Sequence, residues 1–355
     1  MTGSNADSAT VTNARVQRAL GHWFGDEPCT YDLFGSGYIN RTWRVNTGGG
    51  VYVLQNLSSE VFSDPRRVAA NQATLFNALA SAQAFNYQLP QPLPALGGEL
   101  LINLGEQNPD YWRLSAYIDN TRTLQTLANP VQARAVGEAF GSFQRLARGV
   151  DPADLVPVID GFLQLEGYWR SLSDVVQPAV QGHDSEAYGL WVELERLFAD
   201  CQAETTKADA VIHGDCKVNN LLFAAERDAV VAILDLDTLM AAPWWLDFGD
   251  LVRSAVWDKA GEFQAEFYDA LALGYFAGRG ALRAAELNAA LRAPLHLGFM
   301  LSVRFLDDHL RGDKYFRVAR SGDNLRRAQD QLGQLKQLQG QLGVMRATLG
   351  AIVDG

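Results

Sequence analysis

The sequence predicts an α+β fold in which a small, mainly β half precedes a larger, mainly helical half. Three observations carry that expectation. Between residues 30 and 60, β-branched and aromatic residues come in short runs (YDLF, RTWRVN, VYVLQNL) punctuated by Gly35, Gly37 and Gly48–Gly50, the pattern of strands joined by turns. After Asp119, Phe, Leu and Ala recur at intervals of three and four, the period of helices with one apolar face. A strand-rich island interrupts the helical half: AVIHGD at 210–215, NLLF at 220–223 and AVVAILDLD at 229–237. The boundary falls near the end of the first half, so residues 1–118 form one lobe and 119–355 the other.

Taken in order, the first ten residues read as a polar, mobile start and residues 12–24 as a short helix. Strands follow at 31–34, 41–46 and 51–57. Asp64-Pro65 marks a helix start, with helical spacing through Ser81. The connector LPQPLPALGG leads to YWRLSAYI at 111–118, which is aromatic and β-branched enough for a strand. Helices are expected at 128–147, 160–173, 185–204 and from about 246 to 311. In the tail, Leu325, Leu332, Leu335, Leu338, Leu342 and Leu349 share a helical stripe that packs on its own domain, because Gly333, Gly340 and Gly343 interrupt any coiled coil.

Composition narrows the class. Hydrophobic residues at 48% and charged residues at 20% belong to a folded globular chain rather than a disordered one. A net charge of −11 disfavours sequence-independent nucleic-acid binding, which needs a basic footprint. Cys29, Cys201 and Cys216 lack both the number and the spacing for a disulfide framework or a zinc site. The N-terminus has no apolar core of a secretory signal, and no run approaches the roughly 18 apolar residues of a membrane span. The expectation is a cytoplasmic protein, monomeric, with no membrane or nucleic-acid partner.

The sharpest chemical signal is the loop His213-Gly214-Asp215-Cys216-Lys217-Val218-Asn219-Asn220 between two strands. Phosphoryl transfer asks a protein mainly for positioning and charge neutralisation. A carboxylate at Asp215 can orient a hydroxyl and accept its proton. Lys217 can sit on the transferring phosphate, and Asn220 can reach a Mg²⁺ ion. A turn rich in polar residues is the plain alternative. The second signal is the apolar strand ending Ile233-Leu234-Asp235-Leu236-Asp237-Thr238. If that strand continues, Asp235 and Asp237 share a face, and Asp235 is suited to hold Mg²⁺ on phosphates. Solvated acids at a strand end are the alternative. Asp247-Phe248-Gly249 spells a metal-binding tripeptide but lies 32 residues after Asp215, whereas Asp235 lies 20 after it. The metal is therefore assigned to Asp235, and Asp247 is expected to anchor the Asp215 loop. The third signal is Phe34-Gly35-Ser36-Gly37-Tyr38-Ile39-Asn40, a glycine turn that lets backbone approach phosphates, although hairpins use such turns routinely.

Together these elements resemble the aminoglycoside phosphotransferase-like branch of the protein-kinase fold, over residues 20–346. H-x-D-x-K-x-x-N matches the order of a kinase catalytic loop. Within the branch the chain looks closest to the N-acetylhexosamine 1-kinases, through G-x-G-Y-I-N at 35–40, Y-V-L-Q at 52–55, D-C-K-V-N-N-L-L at 215–222, I-L-D-L-D-T at 233–238, D-F-G-D at 247–250 and R-F-L-D-D-H-L-R-G-D-K-Y-F at 304–316. The resemblance implies a bilobal kinase-like fold and an ATP- and Mg²⁺-dependent kinase. Its substrate would be a sugar phosphorylated on the anomeric hydroxyl, an N-acetylhexosamine or related hexose. It implies Asp215 and Lys217 as catalytic, Asn220 and Asp235 as metal ligands, and Gly35, Ser36, Gly37, Gln55, Tyr117 and Asp119 as nucleotide contacts. Tyr38, Asp215, Thr238, Arg304 and Tyr315 would meet the sugar. His213 would be structural and Cys216 a packing residue.

Three departures stand out. Gln55 occupies the strand position where protein kinases carry Lys, and Asn71 and Gln72 stand where its Glu partner would be. Tyr38 replaces a usual His, and Ser254 a usual aromatic residue. The rival readings are a kinase for another alcohol (aminoglycoside, choline or homoserine) and a nucleotide-binding module without catalysis.

Overall fold

The computed structural model describes residues 4–35, 39–81, 85–181, 184–202 and 207–354. The chain divides into two compact units, Met1–Ala73 with Leu89–Asp119, and Thr74–Gln88 with Asn120–Gly355. The expected α+β order holds, with a β-sheet in the first unit and helices dominating the second.

The first unit opens with helix α1 (Ser4–Phe24), not with a mobile start. No Gly or Pro lies between Ser4 and Leu20, so nothing stops the helix from extending ahead of residue 12. Val16, Ala19, Leu20 and Trp23, spaced three and four apart, bury one helix face on Trp43, Val45, Leu54, Trp112 and Leu114. Each large apolar side chain so covered contributes about 1.5–3 kcal/mol. The sheet beneath is antiparallel and five-stranded, in the order β1-β2-β3-β5-β4. It comprises β1 (Thr30–Leu33), β2 (Arg41–Thr47), β3 (Gly50–Asn56), β4 (Ile102–Asn103) and β5 (Tyr111–Ala116). Its register sets Gln55 opposite Thr42 on one side and Arg113 on the other. Trp43 and Trp112 stack with centroids 5.3 Å apart. The Pro-rich connector is pinned: Leu93 donates its N–H to Leu114, and its carbonyl accepts from the Trp23 indole. Helix α2 (Pro65–Ser81) starts as expected, with the Asp64 carboxylate accepting from the Arg66 N–H, and from Thr74 it belongs to the second unit.

The second unit holds β6 (Thr121–Thr123) beside β8 (Leu221–Ala224) and β9 (Val230–Ile233), and β7 (Ala210–Ile212) paired with β10 (Met240–Ala242). Around these pack α3 (Pro130–Ala147), α4 (Leu165–Gln181), α5 (Ser185–Cys201), α6 (Trp245–Ala255), α7 (Ala265–Arg279), α8 (Leu287–Leu310), α9 (Asp323–Gly340) and α10 (Leu342–Asp354). α4 begins later than residue 160 because Gly161 and Leu163 both take positive φ, which no right-handed helix accommodates. The expected strand through 237 ends at Ile233. Asp235 adopts a left-handed conformation (φ 60°, ψ 61°) and Leu236–Thr238 form a 3₁₀ turn, so strand alternation does not place Asp235 and Asp237.

The closest helix pair, α3 on α7, went unread in the sequence. A methyl at Gly137 would run into the Leu271 carbonyl, and one at Gly141 into that of Tyr275. Reciprocally, methyls at Gly274 and Gly278 would meet the carbonyls of Arg134 and Glu138. Two G-x-x-x-G pairs thus let the backbones touch. The leucine stripe is split between α9 and α10; Leu325, Leu332, Leu335 and Leu338 are buried where α9 packs on α8. Among the described residues no helix is long and apolar enough to cross a membrane.

Candidate active site

The loop after β7 is built around one carboxylate, and Asp247 holds it. Asp247 lies in the first turn of α6 and is 1% exposed. Its Oδ1 accepts the Gly214 N–H at 2.9 Å, and its Oδ2 accepts the His213 N–H at 2.9 Å and Gln144 Nε2 at 2.7 Å. The expected anchor is therefore present in the geometry. Gly214 has φ 81°, and a Cβ there would lie 2.6 Å from the Thr238 carbonyl oxygen, so only glycine fits. Thr238, which the resemblance assigns to the sugar, is buried, and its hydroxyl donates to the His213 carbonyl at 2.8 Å.

His213 acts within the scaffold. Its Nδ1 accepts from the Asp215 N–H at 3.3 Å, so Nε2 carries the hydrogen it shares with the Leu234 carbonyl at 2.8 Å. The ring sits edge-on to Phe140 and Phe143 at 5.4 Å. It thereby ties the Asp215 loop to the residue before Asp235.

Asp215 projects from this frame with one oxygen engaged. Its Oδ2 accepts from Lys217 Nζ at 2.6 Å and from Asn220 Nδ2 at 2.9 Å, and the same amide also donates to the Asp215 carbonyl. No described residue donates to Oδ1. Burial pushes the Asp215 carboxyl upward, but Lys217 and Asn220 outweigh it, so its pKa lies below the ordinary value. Burial alone would favour loss of the Lys217 proton; Asp215, Asp235 and Asp250 together hold its pKa above the ordinary value. With Nδ2 committed to Asp215, Asn220 is left with its Oδ1 as a ligand atom.

Asp235 has the opposite balance. Burial, then Asp237 and Asp215, raise its carboxyl pKa to about 6, which Lys217 only partly offsets. Grouped carboxylates of this kind call for a cation. Among the described residues no cluster of three His, Cys, Asp or Glu side chains forms a closed metal cage. The Leu234 N–H donates to the Asn220 carbonyl at 2.8 Å, which ties the residue before Asp235 to Asn220, and the two side-chain oxygens could serve a cation such as Mg²⁺ that takes few protein ligands. Cys216 is fully covered; burial, then Asp247 and Asp250, push its thiol pKa well up, so it packs rather than reacts.

Arg304 and Tyr315 come together in the second unit. The Arg304 guanidinium lies 5.5 Å from the Phe162 ring, 5.0 Å from Tyr168, 5.4 Å from Tyr315 and 5.2 Å from Phe316. Tyr315 is 47% exposed. Its loop is held by Asp308, which the sequence reading passed over: its buried carboxylate accepts from the backbone N–H groups of Lys314, Tyr315 and Phe316 and from Asn324 Nδ2.

In the first unit, Gly35 has φ 81°, while Ser36, Gly37 and Tyr38 lie outside the described residues. Tyr117 packs edge-on to Phe34 and under the Arg44 guanidinium, 4.8 Å from its ring. Asp119 is exposed. Gln55 Oε1 accepts from Arg113 Nε at 2.9 Å and Nη2 at 2.8 Å, while its Nε2 donates to Thr42. Arg113 Nη1 also reaches Gln72 Oε1 at 3.4 Å. The missing Lys–Glu pair is thus replaced by a guanidinium held between two amides. Arg113 was missed; its signal is a charge inside the otherwise apolar run YWRLSA.

A model of the "Phosphotransferase enzyme family" matches residues 30–285, more than half of the chain. The chain belongs to this family. Solved structures share the phosphotransferase's fold at low identity. A microcompartment-associated aminopropanol kinase is 15% identical, with 95% of this chain and 99% of that one covered and a TM-score of 0.64. An aminoglycoside phosphotransferase from Alicyclobacillus acidocaldarius is 14% identical, covering 94% and 96%, with a TM-score of 0.60. An amicoumacin kinase solved with AMP-PNP and Ca²⁺ is 13% identical, covering 96% and 95%, with a TM-score of 0.58. In the phosphotransferase described here, Asp250 and Arg253 complete the surroundings of Lys217: Asp250 Oδ1 accepts from Arg253 Nε at 2.9 Å and Nη2 at 2.7 Å.

Proposed function

We propose that this phosphotransferase is an ATP-dependent small-molecule kinase acting on a sugar, and that it phosphorylates the anomeric hydroxyl of an N-acetylhexosamine or related hexose. The observation that carries the kinase reading is the split environment of Asp215: Oδ2 is clamped by Lys217 and Asn220, and no described residue occupies Oδ1. A hydroxyl donating to Oδ1 is oriented for attack on the γ-phosphorus. As the new O–P bond forms, the proton passes to Asp215, the bond to the β-phosphate oxygen breaks, and ADP leaves. Lys217 carries positive charge beside the reacting group. Asn220 Oδ1 and Asp235 would hold Mg²⁺, which when bound neutralises phosphate charge. The amicoumacin kinase bound to AMP-PNP and Ca²⁺ supports a nucleotide and a divalent cation for this fold.

Gly35, Ser36, Gly37, Gln55, Tyr117 and Asp119 are assigned to the nucleotide. Tyr38, Thr238, Arg304 and Tyr315 are assigned to the sugar, together with Asp215. The aromatic setting of Arg304 supports that role, since rings stack on the apolar face of a sugar while a guanidinium donates to its hydroxyls.

The test is ADP release over a panel of N-acetylglucosamine, N-acetylgalactosamine, galactose, glucose and amino alcohols. A phosphate on the anomeric oxygen blocks ring opening to the free aldehyde, so the product does not reduce a cupric reagent. It also hydrolyses in mild acid, because departure of phosphate leaves an oxocarbenium ion stabilised by the ring oxygen. Only acid-stable, reducing products would overturn the anomeric assignment. Turnover of amino alcohols alone, the acceptor class named for the aminopropanol kinase, would install that reading instead.

A further inference from the structure

Four aromatic rings in the second unit surround one cation of the chain itself. Arg304 stands on α8. Phe162 comes from the turn before α4, Tyr168 from α4, and Tyr315 and Phe316 from the loop after α8. The guanidinium carbon lies over all four rings, between 5.0 and 5.5 Å from their centroids. A cation within about 6 Å of a ring centroid is attracted by the ring's quadrupole, and a box of such rings is what recognises a quaternary ammonium ligand. Here the box is already filled.

The edge of the guanidinium is left open. Arg304 is half-buried, and it makes no ion pair and donates no hydrogen bond among the described residues. None of its nitrogens is sealed from solvent. Tyr315, 47% exposed, forms the outer wall. Of the two acids that follow on α8, Asp307 pairs with Arg311. Asp308 spends its oxygens on the N–H groups of the Tyr315 loop and on Asn324 Nδ2. Those donors are neutral, so Asp308 keeps its negative charge, one helical turn from Arg304, without occupying the guanidinium. It also fixes the backbone that carries Tyr315 and Phe316, so two walls of the box are set by hydrogen bonds and not by the cation.

We propose that Arg304 sets acceptor specificity by filling this box: an ammonium-bearing acceptor is denied its rings, while a neutral polyhydroxyl acceptor meets the open N–H edge. This rests on the reading that Arg304 and Tyr315 meet the acceptor of Asp215. A guanidinium is planar and its donors point outward in that plane, so its faces lie on rings while its edge donates to hydroxyl oxygens. An ammonium gains neither contact. The ring faces turned into the box are covered, and Arg304 has no acceptor to offer an N–H donor. To enter, the ammonium must displace the guanidinium or sit against a like charge. Emptying the box reverses the preference, because four rings remain beside the charge of Asp308 with no internal cation to answer it.

The experiment uses the full chain as wild type, Arg304→Ala and Arg304→Lys, with circular dichroism of each. The probes are the neutral sugar turned over best in the ADP-release panel, choline, and tetramethylammonium, which has no hydroxyl and reports on the box alone. In wild type the sugar is the better substrate and tetramethylammonium does not compete with it. Arg304→Ala raises KM for the sugar about tenfold with KM for ATP unchanged, the loss of roughly one charged hydrogen bond. It also raises kcat/KM for choline about tenfold, and tetramethylammonium now competes with choline. Arg304→Lys, which keeps a cation in the box, stays closed to tetramethylammonium. Competition by tetramethylammonium in wild type, a test that needs no variant, would overturn the filled box. So would an Arg304→Ala that loses the sugar and gains nothing toward either ammonium, and both results leave the acceptor reading standing. Wild-type kinetics of Arg304→Ala with every acceptor would overturn the acceptor reading itself.

Discussion

Replacing Asp247 by Asn should cripple turnover without touching metal affinity. The carboxylate accepts three hydrogen bonds inside the protein, from His213 N, Gly214 N and Gln144 Nε2. An amide can keep only one oxygen. Its best orientation keeps the two donors now on Oδ2 and turns its NH₂ toward the Gly214 N–H, leaving two donors face to face in a buried site. Hydrogen bonds to charged groups are worth about 1.5–3 kcal/mol, and an unsatisfied buried donor costs about 1–3 kcal/mol. The expected loss of stability is therefore about 2–4 kcal/mol, read as a lower denaturant midpoint with the slope unchanged. Gly214 is the residue before Asp215, so the base moves with it, and kcat should fall by about 100-fold. Calorimetric titration with Mg²⁺ and a non-hydrolysable ATP analogue should give an affinity close to wild type. Wild-type stability would refute the hydrogen-bond accounting. A loss of metal-dependent nucleotide binding as severe as in Asp235→Asn would refute the assignment of Asp247 as an anchor.

Asp215→Asn and Asp235→Asn should each abolish turnover, but only the second should lose Mg²⁺-dependent nucleotide binding; equal losses by calorimetry would contradict the division of roles. Gln55→Ala removes the acceptor shared by Arg113 Nε and Nη2 and should raise KM for ATP several-fold while kcat is largely retained; unchanged kinetics would make the position strand packing alone. The pH dependence of the metal-free protein follows from Asp235, whose folded pKa of about 6 lies above its ordinary 3.8. The folded state then holds the proton more tightly, so this group favours folding at low pH and loses that contribution as pH rises between about 4 and 6, by at most about 3 kcal/mol. Asp235→Asn should flatten that part of the stability profile; an unchanged slope would show that other groups carry it.

Local pattern alone determined much of this protein. Alternating apolar residues bounded by glycines marked the strands of the first unit, and Asp64-Pro65 marked the start of α2, because these signals act over a few residues and need no partner. The HGD loop was legible for the same reason: Asp215, Lys217 and Asn220 meet within one turn of chain. The spacing argument assigned the metal to Asp235 and an anchoring role to Asp247, and the hydrogen bonds that His213 and Gly214 donate to Asp247 agree with the second part. Other features depended on partners distant in sequence. The left-handed turn at Asp235 ends β9 early, and Leu234 is tied there by His213 and Asn220 from another loop. Arg113 meets Gln55 only through the β3–β5 register, and Gln72 only because α2 packs beside it. The glycines of α3 and α7 are ordinary helix interruptions until two backbones touch across them. Hydrogen-bond capacity is spent in three dimensions, and only the tertiary structure decides which donors and acceptors remain for a ligand.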